Sequence, residues 1–407
     1  MARTVGIEEE LLVVDSESGR PLSVSERVLR RAAAPDQRAK AGLGERDDDS
    51  PGGAVEAELQ QQQVETDTPP RTDLDELEQD VHAWRGLAAT SARKSGARIV
   101  ASGTSPVEAT PDLVRDSRYE RMLERFGLTT TEHLTCGCHV HVAVDSDDEG
   151  VGVLDRIRVW LPALLAVSAN SPYFQGKDTY YASFRSQLMV RWPSAGPYDV
   201  YGSAEAYHRL VDDMCASGVL LDKAMAYFDA RLSARYPTVE IRVADVCMEP
   251  GDAVLLAALC RGLVETAARD WSEGGQAPAV PTAMLRLATW QAGREGVKGE
   301  LLDPATHRPR PATEVINALV DHVRPALEDA GDAAMVEERV DTLLERGSGA
   351  DRQRSVLERT GRLADVVADT ARVTAGVADP WRPTDVQAGV SSSPGSGSSS
   401  MVAHPPR

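Results

Sequence analysis

The chain has 407 residues, 42% of them hydrophobic and 26% charged, enough for a large core in one domain or two intimate ones. Its formal net charge of −19 opposes non-specific binding to nucleic acid or anionic membrane, but not a nucleotide held by local arginines or metal ions. No apolar run reaches the length of a membrane span, no basic and apolar leader precedes the first strand pattern, and five cysteines in so long a chain make no disulfide framework, so a cytoplasmic protein is expected.

Residues 3–14 read as a strand headed by Glu8-Glu9-Glu10. Strand alternation puts Glu8 and Glu10 on one face and Glu9 on the other. Ser25 to Ala34 read as an amphipathic helix, and the polar stretch from Pro35 to Gly53 as a surface loop or hairpin tip. Ala54 to Thr66 read as one strand, plain or bulged, with Glu58 and Glu65 near its ends. Leu74 to Ser95 is a helix, capped by Thr72 or Asp73, with Leu74, Leu77, Val81, Trp84, Leu87 and Ala88 at helical spacing and Gly96 ending it. Arg98 to Ala101 is a short strand and Asp116 to Phe126 a helix.

Leu134 to Val144 alternates again, with Cys138, Val140, Val142 and Val144 on one face and His139 and His141 on the other. Cys136, Cys138, His139 and His141 invite a zinc reading, but in an extended strand Cys138 points away from both histidines, and small buried hydrophobes explain the cysteines better. Helices are expected over 151–168, 204–218, 252–270, 281–294, 313–330, 333–346 and 351–375, and a strand over 237–246 with Glu240 and Arg242 opposite Val239, Ile241 and Val243. One domain spans residues 1–384. The Ser/Gly/Pro-rich residues 385–407 are expected to be a disordered tail.

Glu8/Glu10, His139/His141 and Glu240/Arg242 are thus three polar pairs at i and i+2, each on a strand whose other face is apolar. Each alone reads as easily as a solvated strand edge or a cross-strand ion pair. Together they describe a sheet with helices on one face and a polar cavity on the other. Several carboxylates with imidazole suit Mg²⁺ or Mn²⁺, and an arginine on the same face suits a transferred phosphoryl group. The phosphate loop G-x-x-x-x-G-K-[ST], a dinucleotide-type G-x-G-x-x-G and the G-x-S-x-G elbow are absent from the sequence.

Gly-Ile-Glu-Glu-Glu (6–10), Glu58 with Glu65, Ser-Gly-Thr-Ser-Pro (102–106), Arg118-Tyr119, Thr-Cys-Gly-Cys-His-Val-His-Val (135–142), Asp178 through Arg185, Trp192-Pro193 with Gly196-Pro197, and Pro-Thr-Val-Glu-Ile-Arg-Val-Ala-Asp-Val (237–246) occur in that order. The ordered set, from about residue 3 to 375, resembles the glutamate–cysteine ligase type 2 family of ATP-dependent carboxylate–amine ligases. Ser105 stands where that pattern has histidine, and Cys138 where it has an apolar or aromatic residue.

The resemblance implies an α+β, glutamine-synthetase-like catalytic fold, in which a curved, mainly antiparallel sheet lines the site and helices pack outside. It implies ATP with Mg²⁺ or Mn²⁺, and an amino-acid carboxylate joined to an amine through an acyl phosphate, with glutamate and cysteine as the default pair. It assigns Glu8, Glu10, Glu58, Glu65 and Glu240 to metal, Arg185 and Arg242 to catalysis, and His139, His141, Arg231 and Arg294 to the nucleotide. It also suggests a homodimer. Two other readings stay open on the residues themselves: a metal-dependent hydrolase using the His/Glu cluster, and a non-catalytic nucleotide- or amino-acid-binding protein.

Overall fold

The computed structural model describes residues 2–43 and 52–376. Its centre is a seven-stranded sheet in which every pairing is antiparallel. The strands are β1 (Val5–Asp15), β2 (Ala54–Ala57), β3 (Gln63–Asp67), β4 (Ala97–Val100), β5 (Gly137–Ala143), β6 (Ala230–Leu232) and β7 (Thr238–Asp245). They lie in the order β2-β3-β1-β5-β7-β6, with β4 also paired to β1. The expected α+β class is observed.

Alternation divides the sheet as the sequence predicts. Ile7, Cys138, Val140, Val142, Val239, Ile241 and Val243 are buried in one hydrophobic cluster with the helices Asp147–Ile157 and Pro250–Ser272. Pro250–Ser272 is almost wholly buried because it runs behind the sheet, which explains its lack of a polar stripe. The helix Leu74–Arg93 packs on the same side, its N-terminus closed by Asp73, which accepts from the amides of Asp75 and Glu76.

Glu9 also lies on this side, buried rather than wet. Its two oxygens take the Nε and Nη2 of Arg85 at 2.7 and 2.6 Å, and Arg85 donates onward to the carbonyls of Met248 and Cys247 at 2.8 and 2.7 Å. The guanidinium is therefore satisfied in a site where an unpaired charge would not persist.

Several expected elements divide. Residues 151–168 form two helices, Asp147–Ile157 and Leu161–Ser168, because Pro162 has no amide to continue the first. Residues 351–375 form Gly349–Thr360 and Leu363–Thr374, parted at Gly361, whose φ of 71° is left-handed. Residues 54–66 are two strands of a hairpin, not one strand. Within the polar stretch after Pro35, Pro35–Lys40 is a short helix, and residues 44–51 lie outside the described residues, as do 377–407 and with them the expected tail. Among the described residues no helix is long and apolar enough to cross a membrane.

Candidate active site

The polar face of the sheet walls a cavity of about 340 Å³. Antiparallel register assembles it. Glu8 stands opposite Asp67 on β3 and His139 on β5, Glu10 opposite Glu65, and Glu65 opposite Glu56 on β2. On the far side Glu240 is opposite His141 and Arg231. Cross-strand neighbours on one face lie roughly 5 Å apart, so the carboxylates form a continuous acidic row.

His139 is buried at the middle of this row. Its Nδ1 is 3.2 Å from Glu8 Oε2, and its Nε2 is 3.9 Å from Glu10 Oε1 and has no hydrogen-bond partner among the described residues. Arg242 Nη1 approaches the same Nδ1 at 3.4 Å; with the Nδ1 proton donated to the nearer Glu8, the Nε2 lone pair faces the acids, the arrangement a metal-binding imidazole adopts. Two sets of donor atoms lie within 4.8 Å of one another: Glu10, Glu65 and His139, and Glu8, His139 and Glu240. The first suits a hard divalent cation better. Glu240 already receives Arg231 Nε at 2.7 Å, Arg231 Nη2 at 3.1 Å and Arg242 Nη1.

The electrostatics follow from this crowding. Burial opposes charge on Glu8, but hydrogen bonds from His139 and His141 hold its carboxyl well below the usual range. Burial likewise opposes charge on Glu10, and His139, Arg185, the Gly137 amide at 2.6 Å and Arg242 outweigh it. Glu58 has less help: burial and the neighbouring Glu10 push it up to about 7. Burial, with Glu8, Glu58 and Glu10 nearby, pushes Glu65 well above the carboxylate range, and burial chiefly lifts Asp67 to about 6. Arg242 and Arg231, against burial, hold Glu240 far below its ordinary value. His139 is lowered by burial and by Arg242, while Glu8 raises His141 in spite of burial. Such a row binds protons or a cation to remain compact.

Of the residues named from sequence, Glu8, Glu10, Glu58, Glu65, His139, His141, Arg231, Glu240 and Arg242 all line this cavity. Glu58 lies just beyond β2 rather than in a strand. Arg294 is not brought to the site. It sits in the helix Thr282–Glu295, donates to the carbonyl of Tyr180 and lies over the Tyr181 ring. Arg185 stands at the border. Its guanidinium packs against Gly137, where a Cβ would come within 2.3 Å of Nη2, which is why the Cys-Gly-Cys run needs glycine. It lines a second cavity instead.

Asp67 and Glu56, not among the residues expected from sequence, also line the acid cavity. Their signal was the i, i+2 spacing already used for Glu8 and Glu10. Glu56 pairs so with Glu58 and Glu65 with Asp67, but a single strand would put the two pairs on opposite faces, and only the hairpin joins them.

Two further spaces adjoin. A more apolar cavity of about 180 Å³ shares Glu8, Asp67, His141 and Tyr236 with the acid cavity and continues past Ile7, Pro70 and Pro237. At the other end Arg242 is common to the acid cavity and to the second cavity, of about 360 Å³. The three spaces follow β7, from Pro237 and Thr238 through Glu240 to Arg242 and Val243.

Behind the second cavity, Trp192 Nε1 donates to His133 Nδ1 at 3.2 Å, which leaves the His133 proton on Nε2, 3.1 Å from Thr135 Oγ1. Burial lowers His133 from 6.5 to about 4. The unfolded chain therefore takes up a proton near pH 6.5 that the folded chain refuses until about pH 4, so this group removes stability as pH falls through that window. The urea midpoint is expected to drop between pH 6.5 and 4, and less steeply in His133→Gln. Parallel pH profiles for the two proteins would remove His133 from this role.

A family model described as glutamate–cysteine ligase family 2 matches residues 4–369. A Streptomyces avermitilis protein named "Putative glutamate--cysteine ligase 2-1" is 52% identical over 376 residues, covering 92% of this chain and all of that one. A Streptomyces coelicolor protein of the corresponding name is 49% identical over 372 residues, covering 91% of this chain and 99% of that one. Among solved structures, the glutamate–cysteine ligase of Francisella tularensis in complex with AMP superposes with a TM-score of 0.64 at 14% identity, over 92% of this chain and 89% of that one. This last likeness shows the fold, and it is the fold class expected from sequence.

Proposed function

The chain belongs to the glutamate–cysteine ligase family 2, and from that premise we propose that it joins a carboxylate to an amine at the expense of ATP and Mg²⁺, through an acyl phosphate, with glutamate the default carboxylate. The observation that carries this reading is the half-buried acidic row, with the unpartnered Nε2 of the buried His139 beside Glu10 and Arg242 next to it.

Glu10, Glu65 and His139 would hold one Mg²⁺. When bound, the cation neutralises phosphate charge and aligns in-line transfer. The residues do the rest. Arg242, fixed by Glu240, offers its guanidinium to the transferring phosphoryl group, and Arg231 holds Glu240 from the other side. The apolar cavity beside Tyr236 and Pro237 takes the nucleotide base, which sets the phosphates along the acids and the γ-phosphate at the Arg242 end.

The test is ADP release by the full chain with MgATP, glutamate and hydroxylamine, read together with hydroxamate. Hydroxamate formation that requires ATP and stops on adding EDTA is the expected result. ATP-independent hydrolysis, or folded protein that releases no ADP with any carboxylate and amine, overturns the reading.

A further inference from the structure

The second cavity is built differently from the acidic one. Trp192, Tyr227, Phe228 and Trp290 supply much of its wall, and it opens from Arg242 toward solvent beside the half-exposed Trp290. The Trp192-Pro193 and Gly196-Pro197 motifs, given no role above, form part of the same wall. Among the described residues the one carboxylate that lines it belongs to Asp229, and three guanidinium groups, of Arg185, Arg242 and Arg286, line it as well. The Asp229 backbone is pinned: its amide donates to Gly196 at 3.0 Å, and its carbonyl accepts from the Arg242 amide at 2.8 Å. Its side chain makes no hydrogen bond or ion pair among the described residues. Thr289 Oγ1 and Arg185 Nε, on two other lining residues, are buried without partners, whereas Asp229 is half-buried. Polar atoms left unpaired around an aromatic chamber mark a place for a ligand that carries both kinds of surface.

We propose that this chamber is the acceptor site of the ligase, and that its acceptor is a primary amine borne on an aromatic or bulky apolar body, with Asp229 as the carboxylate that meets the ammonium group. The proposal rests on the ligase reading above. Its location follows from Arg242, which faces both cavities and so stands where an acyl phosphate made on one side meets an amine from the other. Its chemistry follows from the wall. Cysteine or ammonia would leave most of the aromatic surface of a 360 Å³ space wet, whereas an aromatic amine covers it. Burial pushes the Asp229 carboxyl up to about 7, nearer to an ammonium group than an ordinary aspartate lies. One ammonium proton passes to Asp229. The freed lone pair forms the C–N bond as the C–O bond to phosphate breaks, phosphate leaves with that electron pair, and it takes the second proton lost from nitrogen.

The test titrates the full chain with 2-phenylethylamine, cysteine and ammonium chloride, following tryptophan fluorescence, since two tryptophans lie in the wall. Saturable binding of 2-phenylethylamine at least about tenfold tighter than of the other two is expected. Asp229→Asn and the solvent-edge variant Trp290→Ala should each weaken it about tenfold or more while MgATP affinity, read by calorimetry, is unchanged. Equal affinity for all three amines, or unchanged binding in both variants, overturns the proposal. Hydroxamate formation with hydroxylamine is measured alongside. If it proceeds while the aromatic amine is not preferred, the acceptor assignment alone fails; if no ADP forms with any amine, the ligase reading fails with it.

Discussion

Glu10→Gln is expected to lower kcat by roughly 10²–10³-fold while leaving the fold intact. The amide is isosteric and its oxygen can still accept the Gly137 amide hydrogen bond, so β1 and β5 stay joined. What is lost is one negative charge in the donor set that combines Glu10, Glu65 and the unpartnered His139 nitrogen. The Mg²⁺ concentration giving half-maximal rate should rise with the loss of kcat. Circular dichroism and the urea midpoint serve as controls. A variant that turns over normally at low Mg²⁺ would show that Glu10 is not a ligand.

Arg85→Met is expected to cost about 3–5 kcal/mol of stability, enough to remove most soluble protein. It strands the Glu9 carboxylate in the core, 2% exposed, and leaves the Met248 and Cys247 carbonyls without their donor. Glu9→Gln should cost less, because the amide oxygen still accepts one guanidinium bond. The double variant Glu9→Leu/Arg85→Met should recover part of the loss but not all, since the two carbonyls remain unpaired. Urea denaturation of the three proteins gives the ranking, and equal midpoints for Arg85→Met and wild type would refute it. Neither residue reaches the cavity, so any activity change should follow the folded fraction.

Much of the site is legible because strands alternate with a period of two. Glu8/Glu10, His139/His141 and Glu240/Arg242 needed only that rule to be placed on one face. The rule also put Glu9 on the other face, although it could not say that a helix would supply Arg85 there. Arg85 gave no signal among the polar positions of its helix, since pairing 76 residues apart depends on packing. Asp67 and Glu56 share a face only in the two-strand hairpin, and its short turn carries no Asn-Gly or Asp-Gly mark. The strand Ala230–Leu232, too short for a pattern, brings Arg231 to Glu240 through register alone. Arg294 was assigned by resemblance without a strand or register to place it, and the helix that carries it turns it elsewhere.

The first strand also has a reading frame. Arg3 clamps its start to Glu149 and Glu265, the Asp15 turn fixes its end, and Glu9 is fastened between them to Arg85. Deleting or inserting one residue between Ile7 and Leu11 would carry one row of acids into the hydrophobic layer and turn core side chains into the cavity. With both ends anchored the strand cannot slide to correct the shift, so β1 should tolerate many changes of side chain and no change of length.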